Sequence, residues 1–339
     1  QNIPKGNKSK AKQVFVSRFP AGYIVASDFS SLEVYVQANQ TKCVNLLADL
    51  RAGIDLHCVR LAAKENKPYE EVLKLCKGYK ETAPDGTVIE HAAVPEWDYK
   101  RTGAKGFSFQ RAYGAGIPAI AKSTGMSIED VEALAAAEDL RYPEIGLYFD
   151  ELGDRINECS VPTSTFVPHP DNPAVRCQLR ISRVREVDGG ILTFRSSPAP
   201  KFMLKRGITS TFSPTERKNY PVQRMGAQIM KAAMYLMVVE LYRRGNFDGE
   251  VLLVNTVHDA QYVDASPNYF TEGAALLHAC MSVATAYHKH WHGTDWTVMV
   301  PSETTFGPSM AIEKNVPPEV LALANEYATE IAAAHNFTI

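Results

Sequence analysis

Arg101, Lys105, Phe109 and Tyr113 recur at intervals of four within KRTGAKGFSFQRAYGAG, residues 100–116. On a helix each step of four leaves a drift of about 40°, so the four side chains form one slowly turning stripe. Two cations lead and two aromatic rings follow. That suits a triphosphate carrying a base: charge for the phosphates, flat apolar faces for sugar and base. The same spacing also describes an ordinary amphipathic helix with solvated cations and core aromatics.

Two carboxylates point to a complementary chemistry. Asp28 ends the run GYIVASD and Asp259 follows VLLVNTVH, each with apolar residues behind it. Brought together, such a pair could hold two Mg²⁺ ions about 4 Å apart for in-line phosphoryl transfer. Mg²⁺ takes hard oxygen ligands and keeps waters and substrate oxygens. Two aspartates and a backbone carbonyl such as that of Phe29 are therefore enough, with Mn²⁺ as a substitute. Sequence spacing does not show that the aspartates meet. Glu33 stands at capping-box distance from Ser30, which makes it a helix-entry residue as readily as a functional one.

The elements that must position these groups follow from periodicity. VFVSRFP and GYIVASDF read as strands, and SSLEVYVQANQ reads as a helix. Helical pattern runs from Thr41 to about Asn66 and again over Pro68–Leu75. Residues 77–98 carry prolines and Asp85-Gly86, and read as a hairpin or insertion before the stripe helix. Ser127 caps a helix that ends before Pro143, and Glu144–Asn157 forms another. VRCQLRISRVREV and ILTFRS flank a turn at Asp188-Gly189-Gly190. Pro221–Arg243 is helical, VLLVNTV-HDAQ-YVDA is strand–turn–strand, and NYFTEGAALLHACMSVATAYHKHW is helical. WTVMVPSETTF reads as a strand and Pro317–His335 as a last helix. Strands, a long mostly helical insertion, then a helix and strands again describe an α+β domain interrupted by a helical lobe.

At 339 residues and 45% hydrophobic content the chain can bury a substantial core, in two lobes. No run of eighteen apolar residues suggests a membrane span. Six cysteines without CxxC spacing argue against a structural zinc or disulfide framework and fit a reducing cytoplasm, that of a host if the source is viral. The net charge of −2 hides segregation. Arg195, Lys201, Lys205, Arg206, Arg217, Lys218 and Arg224 stand against Glu216 alone, whereas Glu129–Asp154 is acidic. Such segregation can make a phosphate-tracking face on a nearly neutral protein, or simply a solvated one.

Five motifs then occur in one order: QNIP at 1–4, DFSSLE at 28–33, R-x-x-x-K-x-x-x-F-x-x-x-Y-G at 101–114, N-x-P-x-Q at 219–223 and VHD at 257–259. Together they resemble the family A DNA polymerases of the DNA polymerase I and phage replicative type, over nearly the whole chain. The resemblance implies a right-hand architecture with an antiparallel-sheet palm, an inserted mostly helical fingers domain and no thumb. The palm would comprise residues 1–41 and 206–339. The fingers would comprise 42–205, with the insertion around 77–98 suggesting a phage lineage.

Carried over residue by residue, the resemblance assigns Asp28 and Asp259, with the Phe29 carbonyl, to two Mg²⁺ ions. Glu33 becomes the gate against a ribose 2′-hydroxyl. Arg101 and Lys105 hold the incoming triphosphate, with Lys105 also a general acid to pyrophosphate. Phe109 packs on the sugar, and Tyr113 with Gly114 occupies the templating position. His57 approaches the triphosphate, Asn219 and Gln223 read the minor groove, and His258 touches the primer terminus. The minor groove presents acceptors common to correct pairs, so such contacts check geometry rather than sequence.

This implies template-directed DNA synthesis in phage replication, with primer–template DNA and deoxynucleoside triphosphates as partners. Starting at QNIP, the chain would be a fragment or split subunit that needs an upstream thumb and exonuclease portion, and alone would synthesise weakly. The departures are Ala260 where a glutamate is usual, Tyr35 where an arginine is, and Arg224 where a glycine follows the glutamine. Two rivals stay open: a single-subunit RNA polymerase-like enzyme, and a non-catalytic DNA-binding accessory subunit.

Overall fold

The alternation in YIVASDF produces β1 (Tyr23–Phe29), whose successive side chains face opposite sides of a sheet. The computed structural model describes residues 10–83, 85–112, 114–311 and 314–339. The QNIP motif and Tyr113 lie outside the described residues, as does the side chain of Phe109.

After β1 come α1 (Leu32–Thr41), α2 (Val44–Arg51), α3 (Leu56–Glu65) and α4 (Tyr69–Lys77). The hairpin β2 (Tyr79–Thr82) and β3 (Val88–His91) leads into α5 (Pro95–Ala112). Next are α6 (Ile117–Thr124), α7 (Ile128–Arg141) and α8 (Pro143–Glu158), then β4 (Ser160–His169), β5 (Asn172–Arg185) and β6 (Ile191–Arg195). The short β7 (Ser197–Pro198), α9 (Lys201–Leu204) and β8 (Ser210–Thr211) precede the long α10 (Pro214–Arg243). Last are α11 (Asn246–Gly249), β9 (Val251–Val257), β10 (Ala260–Ala265), α12 (Phe270–His292), β11 (Ser302–Gly307), β12 (Lys314–Asn315) and α13 (Pro318–Ala334). The chain divides into two compact units, one of Gln1–Gln40, Val187–Gly189 and Val222–Ile339, the other of Thr41–Glu186 and Gly190–Pro221.

In the first unit, five strands form a sheet in the order β12-β11-β1-β10-β9, every neighbour antiparallel. One face carries Ser27, Gln261 and Thr304, all buried, and packs on α12. Helix α12 buries Leu276, Leu277, Met281 and Val283, each worth about 1.5–3 kcal/mol when removed from water. It approaches closely because Gly273 has no side chain; a Cβ there would stand 3.0 Å from Val251. The opposite face carries Ala26 and Asp28, with Ala260 beside Asp28 on β10.

The second unit is mostly helical. Phe107, Ile120, Val131 and Leu134 tie α5, α6 and α7 into one core, and Cys58, Leu61, Val72 and Cys76 tie α3 to α4. A separate antiparallel sheet, β4-β5-β6, packs on α8. An α+β chain with antiparallel sheets is thus the observed class.

Three local readings change. VFVSRFP forms no strand: Ala11–Val14 is a 3₁₀ turn and Val16 makes one isolated bridge to Ser309. Its backbone is held instead by a side chain, since Arg18 N donates to Asp264 Oδ2 at 3.0 Å and Ser17 Oγ to Oδ1 at 2.5 Å. The strand expected over WTVMVPSETTF starts only at Ser302, because buried Asn39 captures its first half. Thr297 N and Val298 N donate to Asn39 Oδ1 at 2.7 and 3.1 Å. The stripe helix begins earlier than expected, at Pro95, where a proline costs no helical hydrogen bond and Glu96 and Asp98 complement the helix dipole.

Candidate functional site

Asp28 and Asp259 are brought to adjoining strands by the β1–β10 ladder. Asp28 stands opposite Ala260, and Phe29 N donates to Asp259 O at 3.2 Å, which extends the pairing by one step. Asp28 is exposed at the end of β1, whereas Phe29 beside it is buried and anchors the strand end. His258 and Asp259 make the two-residue turn between β9 and β10. His258 adopts φ +56°, a left-handed conformation in which histidine is among the better tolerated residues. His258 is exposed and Asp259 half-buried.

The β1–β11 ladder adds a residue that sequence reasoning missed. Glu303 is the register partner of Asp28, exposed and on the same face. Side chains directly opposite in this way have Cβ atoms about 5 Å apart, and like charges there are mutually unfavourable. Asp28 is therefore flanked by Ala260 on one neighbouring strand and a carboxylate on the other. Behind them, Thr304 Oγ1 donates to Ser27 Oγ at 2.9 Å and lies 2.8 Å from Nδ1 of His278. Burial pushes the His278 pKa down. This buried chain pins the register that sets Glu303 across from Asp28. Among the described residues no three His, Cys, Asp or Glu side chains gather tightly enough to hold an ion as a group. The donor set at the strand ends is nonetheless all oxygen and anionic, the chemistry Mg²⁺ accepts with waters completing its shell.

Glu33 lies in the first turn of α1. The helix starts at Leu32, with Ser31 at its entrance; Val34 N donates to Ser31 O at 2.9 Å. Ser30 N donates to Pro301 O at 2.9 Å, which links the helix entrance toward β11. Tyr35, two residues after Glu33, has its pKa raised by burial.

The stripe is held differently. Arg101 Nε and Nη2 donate to Asp55 Oδ2 at 3.2 and 2.7 Å. Asp55 also caps α3, accepting from His57 N at 3.1 Å and Cys58 N at 3.0 Å, and it meets Lys77 Nζ at 2.8 Å. Burial works to raise its pKa, but Arg101, Lys77 and the helix N–H outweigh that and hold the carboxyl well below the usual range. His57 stands beside the same helix, its Nδ1 3.3 Å from Ser108 Oγ. Burial first, then repulsion from Arg60, lowers its pKa to about 4, so the imidazole is neutral at pH 7. Lys105 is exposed and makes no ion pair among the described residues. Gly114 has φ +78°, and a Cβ there would come within 3.0 Å of Thr215 Cα, so both backbone and space require glycine.

Asn219 and Gln223 stand four apart on α10, hence on one face. Gln223 is exposed. Two residues beyond Arg224, Gly226 lets α10 approach α1: a Cβ would lie 3.2 Å from Leu32. Arg224 itself donates to Asp188 Oδ1 at 2.9 Å, an ion pair in which both side chains are largely buried. Asp28, Phe29, Glu33, Gln223, His258 and Asp259 thus belong to the first unit, and His57, Arg101, Lys105, Phe109, Gly114 and Asn219 to the second. Asp55 was readable as a helix cap, but not its pairing with Arg101 forty-six positions away.

No protein-family model matches the chain. DNA polymerase I of Pseudomonas aeruginosa is 22% identical over 304 residues, covering 86% of this chain and 27% of that protein. DNA polymerase theta of Caenorhabditis elegans is 20% identical over 291 residues, covering 85% of this chain and 14% of that protein. The solved POL domain of Pol1 from M. smegmatis, in complex with DNA primer-template and dNTP, is similar in fold. Its TM-score is 0.58 at 17% identity, covering 91% of this chain and 44% of that one. The chain spans less than half the length of each. The curated relatives and the solved structure are thus all DNA polymerases or a polymerase domain, and this chain is similar to them in sequence and in fold.

Proposed function

We propose that this chain carries out template-directed DNA synthesis, transferring deoxynucleotides to a primer 3′-hydroxyl. The observation that carries the reading is the β1–β10 pairing, which sets Asp28 and Asp259 on adjoining strand ends in a fold shared with a polymerase domain. In this reading Gln1–Thr41 and 206–339 act as the palm, and 42–205 as the fingers. Asp28, Asp259 and the Phe29 carbonyl would hold Mg²⁺, or Mn²⁺ in its place. That ion supplies activation of the 3′-hydroxyl and charge neutralisation on the triphosphate.

The chain's own residues do the rest. Lys105, exposed and without an ion pair among the described residues, takes phosphate charge and can donate a proton to departing pyrophosphate. Arg101 exchanges Asp55 for the triphosphate. Neutral His57 offers a hydrogen bond without adding charge. Phe109 packs on the sugar, Glu33 closes the space a 2′-hydroxyl would need, and Tyr113 with Gly114 holds the templating position. Asn219 and Gln223 would read the minor groove, and His258 would touch the primer terminus. Glu303 gives Asp28 a neighbouring carboxylate from β11 where β10 offers only Ala260. The hairpin around 77–98 supports a role in phage replication, and an upstream thumb and exonuclease portion would supply duplex grip.

Primer extension with Mg²⁺, comparing the unaltered chain with Asp259→Ala in the presence of a thumb-bearing portion, tests the reading. Extension is expected from the unaltered chain and lost in the variant; equal extension by both would sink it. Ready use of ribonucleotides would instead favour RNA synthesis.

A further inference from the structure

The sheet β4-β5-β6 has two unlike faces. Ser182 pairs with Phe194 and Val184 with Leu192; all four are buried. The alternate positions point the other way, with Ile181 opposite Arg195, Arg183 opposite Thr193 and Arg185 opposite Ile191. Arg183, Arg185 and Arg195 are exposed there, and Ile191 is 48% exposed. Val161, opposite Ile181 on β4, is 52% exposed. No acidic residue occupies this set of positions. Neither Arg183 nor Arg195 has an ion-pair partner among the described residues. Residues two apart on a strand are about 6.6 Å apart, and diagonal neighbours about 7–8 Å, so the three arginines are neighbours on one exposed face. A basic face interleaved with exposed aliphatic side chains suits a polyanion that also carries apolar groups.

We propose that this face binds single-stranded DNA, the arginines taking successive phosphates and the interleaved aliphatic side chains receiving unpaired bases. The chemistry selects single strands because a duplex hides its bases and leaves Val161, Ile181 and Ile191 without partners, whereas an unpaired strand presents charge and apolar faces together. The proposal rests on the reading that the chain handles a template strand, and it extends that reading to a face outside the stripe and the carboxylates.

The test is fluorescence anisotropy of the full chain with a labelled oligodeoxynucleotide of about 12 nucleotides across a salt series. Each phosphate neutralised on a single strand contributes about 0.7 to the log–log salt slope, so Arg183→Ala/Arg185→Ala/Arg195→Ala should lower it by about 2. The matching triple lysine variant should keep the slope, which also controls for folding. Binding to a blunt duplex should be unchanged by the alanines. An unchanged single-strand slope overturns the proposal, and so does an equal loss on the blunt duplex. Primer extension by the same unaltered protein separates the two readings. Absent extension with an intact slope effect removes the synthetic function, and normal extension with no slope effect removes this face alone.

Discussion

The carboxylate-bearing sheet and the cationic stripe are positioned by opposite means. Asp28, Ala260 and Glu303 owe their places to backbone ladders, locked from behind by Ser27, Thr304 and His278 against α12. Arg101 and His57 are tied instead to one side chain, the Asp55 carboxylate at the entrance of α3, which gathers Arg101, Lys77 and two helix N–H groups at once. A ladder tolerates little movement because a register slip exchanges the two faces of a strand. An ion pair fixes no such register, and a guanidinium accepts one anion or another. The first region is held by backbone pairing, and the second by charge.

Breaking the rigid region should have the largest effect. Asp28→Asn should lower primer extension at least about a thousandfold, roughly 4 kcal/mol of transition-state stabilisation, with the thermal transition intact. Retained extension would show that the ladder positions nothing catalytic. Removing the anchor behind it should register first as lost stability. Ser27→Ala leaves the buried Thr304–His278 pair short of a partner and should cost about 1–3 kcal/mol in chemical denaturation. No measurable loss would mean the register is held elsewhere.

The exchangeable region should respond more mildly. Asp55→Asn keeps a good helix cap but removes the charge that occupies Arg101, so KM for deoxynucleotides should fall about threefold. A raised KM would mean that Asp55 orients Arg101 rather than competing with substrate. The smallest effect is in pH. The folded value of His57 is held near 4, below its ordinary 6.5, so between those values the unfolded chain takes a proton that the folded chain refuses. Stability should therefore fall as pH drops from about 6.5 towards 4. His288, buried in the first unit and also lowered to about 4, adds a parallel term. His57→Asn should flatten part of the slope measured by denaturation at pH 7 and pH 5, and an unaltered slope would move the titration to His288.

Much of this was legible before any coordinates. Alternation announced β1 and β9–β10, Ser127 marked a helix start, and the α+β class followed from the order of elements, with the antiparallel sheet added by the resemblance. Legibility failed where a side chain replaced a backbone partner. Asn39 and Asp264 capture segments that propensity assigns to strands, and nothing local announces that capture. Glu303 was missed for a related reason: its spacing to Asp28 is not a periodicity, and only pairing across the sheet makes them neighbours.

By itself the sequence determined which groups could do chemistry and the order in which they occur, because helix and strand periods are local properties of the chain. The tertiary structure alone decided what stands next to each group: Ala260 and Glu303 beside Asp28, Asp55 against Arg101, and three arginines on the open face of β4-β5-β6. Those neighbours come from ladders and ion pairs, several of them linking positions far apart in the chain. There, burial of the opposite face and the geometry of hydrogen bonds, rather than local preference, set the contact.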